Sequence, residues 1–264
     1  MAVSMLMGFA LNLDSNEYLF IGIPLTVLFQ IVVARAPLRA LWVRGAPRTK
    51  LREIRWEAWL VVGLFGLANA LFLVLDAILG SWEGTIYEIV VLVGLLPMAY
   101  ALHQLTKKSF RHALGCFATA GTIGICTFAI SYLYDVYLSS GTPVSLGYFA
   151  GEVIQYIIVY IPALFLLEEV SFRGALDSHV YRLGERRSKT TAVYVSALWG
   201  AWHFPQAYAA SGGILGNAII LGELVAFQGA VGFFLSIFWR RSGNLFVPGI
   251  AHAIADSIRN GLRV

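Results

Sequence analysis

The chain has 264 residues and a formal net charge of +4, with 58% apolar and only 13% charged residues. A typical soluble domain has about 25% charged and 45–50% apolar residues. The composition therefore excludes a disordered chain, a collagen-like repeat and a secreted disulfide scaffold, and it disfavours a soluble enzyme with a single core. It predicts a polytopic membrane protein.

A membrane-spanning helix needs about 20 mostly apolar residues. The chain contains eight candidate runs, of which the sixth and the eighth are short. They lie at 17–34, 57–79, 86–102, 113–134, 146–167, 190–205, 217–239 and 245–258. Because no internal repeat or domain linker interrupts them, we predict an all-α bundle of about eight transmembrane helices. Within this single membrane domain we distinguish an N-terminal four-span region, 1–145, from a C-terminal region, 146–264.

Lysine and arginine residues are distributed asymmetrically between the connections. Of the 19 basic residues, 17 fall in alternate connections, at 35–55, 103–112, 168–189 and 240–244. By the positive-inside rule these connections face the cytosol and both termini lie outside, as expected for a multi-pass protein of the cell (inner) membrane. Attraction to anionic lipid headgroups explains the net positive charge, so no nucleic-acid partner is expected.

Ionisable residues within the runs are the main indication of function, because a charged group in the hydrocarbon costs at least about 2.5–3.5 kcal/mol. They are concentrated in the C-terminal half of the chain, and Arg173 follows just beyond the fifth run. The set is Glu152, Glu168, Glu169, His203, Glu223, His252 and Asp256. We expect Glu152 and Glu223 to be structural or to line a cavity. The N-terminal region is expected to be structural, and the C-terminal region is expected to carry the chemistry.

The first group of candidates surrounds the end of the fifth run. Glu169 and Arg173 are four residues apart and can pair on one helix face. Glu168 is rotated by about 100° from Glu169 and can point elsewhere. A carboxylate in apolar surroundings suits a general base that takes a proton from water near neutral pH, so these residues fit hydrolysis.

The other two groups each contain a histidine. Trp199 lies one helical turn before His203, and His252 lies one turn before Asp256. The histidines could steady the attacking water or an oxyanion, and Asp256 could fix the tautomer of His252. One glutamate and two histidines also match a catalytic zinc site, whose ligands would be Glu168, His203 and His252. The residues alone leave open whether the site uses no metal or a divalent metal such as zinc.

These three groups resemble, in order, the motifs of the CPBP intramembrane proteases, which include CAAX prenyl endopeptidases and bacterial Abi-type proteins. Residues 168–174 resemble the EExxxR motif, 199–203 the FxxxH motif with Trp in place of Phe, and 252–256 the HxxxN/D motif. The first four spans carry no such resemblance. The resemblance implies an eight-span α-helical bundle with a polar cavity open to the cytosol, and hydrolysis of a peptide bond beside the membrane or near a substrate's C-terminus.

Carried over by position, the resemblance implies the catalytic residues Glu168, Glu169, Arg173, His203, His252 and Asp256. Glu168 would be the base, with Glu169 and Arg173 as its support. Where the family has Asn at the last position, that side chain is thought to help bind the oxyanion, but an ionised aspartate cannot donate a hydrogen bond. Asp256 must therefore be protonated, orient His252 or bind a metal.

Three functions are compatible with these observations. The leading hypothesis is an intramembrane endopeptidase that uses a glutamate-activated water to cleave a membrane-associated or C-terminally processed protein. The second is a non-enzymatic protein of the same fold with a bacteriocin-immunity or scaffold role. The third is a proton-coupled carrier; the unequal polar content of the two halves argues against it, because transporters usually contain inverted repeats. The expected partners are a protein or peptide substrate and the lipid bilayer.

The predicted boundaries and the motifs disagree at one point. The boundaries place Glu168 at the cytosolic end of span five and His203 toward the outer end of span six. The two residues can meet only if the fifth helix continues past Arg173, or if the sixth begins later than Thr190. We expect one of these arrangements, because element boundaries are the least certain part of a sequence-based prediction.

Overall fold

The computed structural model describes residues 17–45, 49–105, 110–122, 145–181, 188–208 and 212–261, with the single residues 3, 6, 7, 10, 11, 126 and 129, and excluding the side chains of 17–19, 83, 164–167 and 188. Within these residues the regular structure is helical, apart from one isolated bridge between Val43 and Asn244. The predicted all-α fold is therefore confirmed. Most of the predicted fourth span, 113–134, lies outside the described residues beyond position 122.

The described helices follow one another along the chain as α1 to α8. In order they are α1 Glu17–Leu28, α2 Trp56–Leu79, α3 Trp82–His103, α4 Leu146–Leu167, α5 Ser188–Trp202, α6 Phe204–Ala207, α7 Gly213–Ser242 and α8 Phe246–Gly261. Residues 110–122 are also helical. Two segments are π-helical, Phe29–Val33 after α1 and Val170–Asp177 after α4, and short 3₁₀ turns occupy Leu38–Leu41 and Leu51–Glu53.

Four of the described helical segments are long and apolar enough to cross a membrane. They are α2, residues 84–103 of α3, residues 146–163 of α4, and α7. Large apolar side chains such as Leu67, Ile78 and Phe227 are exposed on α2 and α7, an arrangement that is favourable where lipid covers them. The predicted membrane protein is supported. The count of eight spans stays approximate, since α5 and α8 have only 15 and 16 residues.

The described residues pack into two compact units. The first unit comprises Met1–Ala46 and Leu167–Leu245, and the second comprises Pro47–Leu166 and Phe246–Val264. This is a division by packing, whereas the regions 1–145 and 146–264 were distinguished by their expected roles. That functional division remains a prediction.

In the first unit, close packing of α5 against α7 depends on a glycine. A Cβ on Gly200 of α5 would lie 2.9 Å from the Cα of Val225 on α7, which is closer than real Cβ contacts. The connection after α1 also packs onto the end of α7, because Arg44 N donates to the Gly243 carbonyl and Leu245 N donates to the Trp42 carbonyl, both at 2.8 Å. These contacts hold the connection after α1 against the end of α7.

In the second unit, polar side chains fix the packing of apolar helices. Asn69 of α2 donates from Nδ2 to the carbonyls of Phe65 at 2.7 Å and Ile158 at 3.2 Å. Asn260 of α8 donates to the Tyr160 hydroxyl of α4 at 2.6 Å. Such bonds between helices are typical of membrane bundles, where small and polar side chains mediate the contacts that apolar surfaces cannot specify.

Candidate active site

The fifth helical run does not end at its predicted boundary. After one turn residue at Glu168, the chain continues as the π-helical segment Val170–Asp177 and a final α-helical turn to Val180. Stretches of π-helix are concentrated at functional sites. The run thus passes Arg173, which is one of the two arrangements that the sequence required for Glu168 to reach His203.

Glu168 and His203 are brought together inside the first unit. His203 directly follows the last residue of α5, and its Nε2 lies 3.5 Å from Oε2 of Glu168. The same carboxylate oxygen accepts a hydrogen bond of 2.8 Å from the indole Nε1–H of Trp199. Glu168 is 5% exposed and His203 is 8% exposed, so only a small edge of the pair reaches the surface.

The hydrogen-bond network assigns the tautomer of His203. Its Nδ1 lies 2.8 Å from the carbonyl oxygen of Trp199. Because a carbonyl oxygen only accepts, Nδ1 must carry a proton. A neutral imidazole then presents the lone pair of Nε2 to the carboxyl group of Glu168. The two groups can therefore hold one proton between them, or both can contact one water molecule.

Glu169 and Arg173 form the ion pair that their spacing predicted. Arg173 Nη1 lies 3.1 Å from Oε1 of Glu169, and both side chains are completely buried. The other guanidinium nitrogen, Nη2, donates to the Gly232 carbonyl of α7 at 3.2 Å. The guanidinium also lies 4.7 Å from the ring centroid of Trp199, within the range of a cation–π interaction.

Gly232 leaves the space that this arrangement needs. A Cβ at this position would lie 2.8 Å from Cε3 of Trp199, 2.9 Å from Nη2 of Arg173 and 3.1 Å from Cβ of Ser196. Real Cβ atoms essentially never approach as closely as the first two distances. The absence of a side chain on α7 therefore allows the indole and the guanidinium to stack.

His252 and Asp256 belong to the second unit, whereas Glu168 and His203 belong to the first. On α8, Nε2 of His252 lies 3.5 Å from Oδ2 of Asp256, as their helical spacing predicted. Arg259 contacts the same carboxylate oxygen at 3.2 Å. Asp256 thus faces an imidazole and a guanidinium on one helix.

A second buried charge cluster is centred on Asp177, which was not among the predicted site residues. Arg240 Nε lies 3.0 and 3.2 Å from the two carboxylate oxygens of Asp177, and its Nη2 also contacts this group. Arg44 stacks on the Trp239 and Tyr181 rings at 5.1 and 5.3 Å. Burial raises the pKa of Asp177, which Arg240 opposes, and burial lowers the pKa of Arg44. This cluster joins the end of α7 to the π-helical segment. The only sequence signal for it was the position of Asp177, four residues after Arg173.

The metal alternative requires three ligands. Glu168 and His203 supply two adjacent candidates in the first unit, and the third predicted ligand, His252, belongs to the second unit. Among the residues that the structure describes, no three His, Cys, Asp or Glu side chains are grouped so that they could hold a metal ion. A bound metal therefore stays a prediction.

Comparison with known proteins identifies the segment that contains this site. Residues 150–258 match the protein family described as Rce1-like, type II CAAX prenyl endopeptidase Rce1-like. This part of the chain is similar to the Rce1-like family. The predicted resemblance to CAAX proteases is therefore confirmed there, and all six predicted catalytic positions fall within it. No curated protein and no solved structure matches the chain significantly.

The family supports the coarser part of the functional prediction. The Rce1-like family is a protease family, so the segment indicates a peptidase of the CAAX protease type. Together with the four membrane-spanning candidates, it indicates a membrane environment and a protein substrate. The roles of the individual site residues remain predictions.

Proposed function

We propose that the chain is an intramembrane endopeptidase that hydrolyses a peptide bond near the C-terminus of a membrane-associated protein, using a water molecule activated by Glu168. One observation carries this proposal. The buried carboxyl group of Glu168 lies 3.5 Å from His203 and accepts the indole hydrogen bond of Trp199, inside an Rce1-like segment. A buried carboxylate beside an imidazole is a suitable arrangement for general-base catalysis.

In the proposed reaction, Glu168 takes a proton from water as the water oxygen attacks the carbonyl carbon of the scissile bond. The carbonyl oxygen becomes an oxyanion, which nearby hydrogen-bond donors stabilise. The carbon–nitrogen bond then breaks as Glu168 returns the proton to the departing amine. The products are a new carboxylate and a new amine, and the enzyme is regenerated without a covalent intermediate.

His203 is proposed to position the attacking water. A separation of 3.5 Å between Nε2 and the Glu168 oxygen is at the outer limit for a direct hydrogen bond, so a water bound beside both atoms could contact each of them. The Nδ1–H bond to the Trp199 carbonyl fixes the ring in this orientation. Glu169 and Arg173 are proposed to support the base by fixing the π-helical segment that follows Glu168.

His252 and Asp256 are proposed to take part in the reaction, as the family resemblance implies. Of the three roles considered for Asp256, orienting His252 fits its contacts best, since its oxygen faces both His252 Nε2 and the Arg259 guanidinium. A charged Asp256 would then hold the imidazole of His252 in one orientation and tautomer.

The proposed location is the cell membrane, with the basic connections and the polar cavity of the site facing the cytosol. The support is the clustering of 17 of the 19 basic residues in alternate connections. Arg44 and Arg240 come from two of these connections and lie in one cluster beside the end of the π-helical segment. The substrate would therefore approach from the cytosolic leaflet.

The test uses the full chain reconstituted in lipid nanodiscs, with a prenylated CAAX peptide and its unprenylated counterpart as probes. Products are identified by mass spectrometry for the wild type, Glu168→Gln and Glu223→Gln; the last is a matched control, since Glu223 is an exposed carboxylate on α7. We expect cleavage by the wild type and by Glu223→Gln, and none by Glu168→Gln. Equal cleavage by all three would contradict the proposal.

The same assay separates the remaining alternatives. Activity that survives chelation would favour the glutamate alone, whereas loss on chelation and recovery with zinc would favour the metal site. If the folded wild type cleaves no peptide and changes no protein terminus in cells, the scaffold or immunity role replaces the proposal.

A further inference from the structure

We propose that Trp199 is a positioning residue that holds the Glu168 carboxylate through its indole N–H. The inference rests on the proposed function, because it concerns the orientation of the base. It concerns the position at which this chain departs from the FxxxH motif that it otherwise resembles. A phenylalanine there could provide an aromatic face, but it has no N–H to donate.

The contact between Trp199 and Glu168 is short and buried. The distance from Nε1 to Oε2 is 2.8 Å, and Trp199 is 1% exposed. Hydrogen bonds to an ionised carboxylate are stronger than bonds between neutral groups, and a buried environment strengthens them further. A single N–H on a rigid ring therefore fixes the direction in which the carboxylate oxygen points.

The indole ring of Trp199 is itself fixed by contacts with neighbouring side chains. The Arg173 guanidinium lies 4.7 Å from its ring centroid, and the His203 ring packs edge-on, at 5.0 Å and 87°. Gly232 of α7 leaves the space in which Cε3 lies. The N–H donor is thus pre-oriented before any substrate binds, and this lowers the cost of placing the base in its reactive geometry.

Trp199 also contacts the two residues proposed to act beside Glu168, Arg173 and His203. Its side chain contacts the arginine that binds Glu169, and its backbone carbonyl accepts the Nδ1–H of His203. A change from Trp to Phe keeps the backbone carbonyl and an aromatic ring for Arg173, and it removes the N–H together with part of the indole ring. Compared with the same substitution at another buried tryptophan, Trp199→Phe therefore tests the donor separately from the loss of packing.

The matched control is Trp239→Phe. Trp239 is also completely buried in the first unit, and its Nε1 donates to Ser178 Oγ at 3.1 Å rather than to Glu168. Both substitutions remove one buried indole hydrogen bond and leave an aromatic ring. A difference between them reports on the contact with Glu168 and not on the loss of a buried donor in general.

The kinetic test uses the nanodisc assay with the prenylated CAAX peptide. For Trp199→Phe we expect kcat to fall about ten- to a hundredfold, the effect of one hydrogen bond to a charged group, with KM within about twofold. Trp239→Phe should keep both constants at similar expression and folding. If the two variants lose activity equally, or if Trp199→Phe changes only KM, the positioning role is wrong.

A spectroscopic test does not depend on activity. Proton–nitrogen correlation spectra with isotope-labelled tryptophan give one indole signal for each of the seven tryptophans. The signal that Trp199→Phe removes should shift strongly in Glu168→Ala, and the signal that Trp239→Phe removes should not. An unchanged Trp199 signal would overturn the hydrogen bond. If the wild type cleaves no peptide and changes no protein terminus in cells, the proposed function and the positioning role both fail, while the spectra still decide whether the contact exists.

Discussion

Oε2 of Glu168 and Nε2 of His203 lie 3.5 Å apart, although 34 positions separate the two residues along the chain. They meet because helical structure continues past Glu168 through the π-helical segment, while His203 follows directly after α5. Gly200 and Gly232 in turn let α5 and α7 approach closely.

The buried ion pair predicts strong coupling between Glu169 and Arg173. Removing one partner of a buried pair leaves an uncompensated charge and costs about 3–5 kcal/mol. Arg173→Met should be the more destabilising single change, because Arg173 also contacts the Gly232 carbonyl and the Trp199 ring. The measurement is unfolding in mixed micelles of Glu169→Gln, Arg173→Met and the double variant. Simple addition of the two single effects would contradict the coupling.

Gly232 predicts a steric effect that its neighbour Gly229 does not share. A Cβ on Gly232 would overlap Trp199 and Arg173, whereas at Gly229 the nearest atoms are 3.7 Å away or more. Gly232→Ala should cost about 1–3 kcal/mol in stability and reduce peptide cleavage, as overpacking does. Gly229→Ala on the same helix should be close to neutral. Equal thermal stability of the two variants would show that the space at Gly232 is not needed.

The contacts of Asp256 predict that asparagine can replace it with little loss of activity, whereas an apolar residue cannot. An asparagine keeps an oxygen that can accept from Arg259 and from His252 when its Nε2 is protonated, so Asp256→Asn should retain cleavage within about tenfold. Asp256→Leu removes the acceptor and should lose about a hundredfold, as should His252→Ala. Initial rates with the CAAX peptide distinguish these variants. Equal losses for Asn and Leu would indicate that the negative charge itself is required.

The cluster around Asp177 predicts a pH-dependent loss of stability. Burial raises the pKa of Asp177 and Arg240 opposes this rise, so Arg240→Gln should raise the pKa further. When the pKa of a carboxyl group is higher in the folded than in the unfolded protein, the folded protein becomes less stable as the pH rises above the unfolded pKa of about 4. Thermal unfolding of Arg240→Gln should therefore occur at lower temperature at pH 8 than at pH 5. The neighbouring Arg241 is exposed, and Arg241→Gln should show no such dependence.

Much of the helical structure could be predicted from apolar run length alone. The predicted run 57–79 begins one residue after α2, and 146–167 coincides with α4. The motifs left two arrangements open at Glu168, and the sequence could not decide for the continuation past Arg173. The charged and glycine-containing sequence there has no apolar periodicity, and π-helical geometry has no simple sequence pattern. The π-helical segment packs closely against the Leu41 carbonyl, for which Gly174 leaves room because it has no Cβ.

The local part of the site was also predictable, but its long-range contacts were not. The pairs Glu169–Arg173 and His252–Asp256 follow from helical spacing, and both contacts are present. The indole N–H of Trp199 was visible in the sequence as a donor, but no spacing rule relates it to Glu168 on another element. Only the packing of α5 against the π-helical segment brings these two groups together.

The most direct test of the central claim is a map of protein termini in cells that carry the wild-type chain or Glu168→Ala, at matched expression and membrane insertion. If Glu168 activates the water for peptide hydrolysis, a defined set of new termini will appear with the wild type and disappear with Glu168→Ala, and these termini will identify the substrate. Identical maps under conditions where the protein is abundant would contradict an endopeptidase that depends on Glu168.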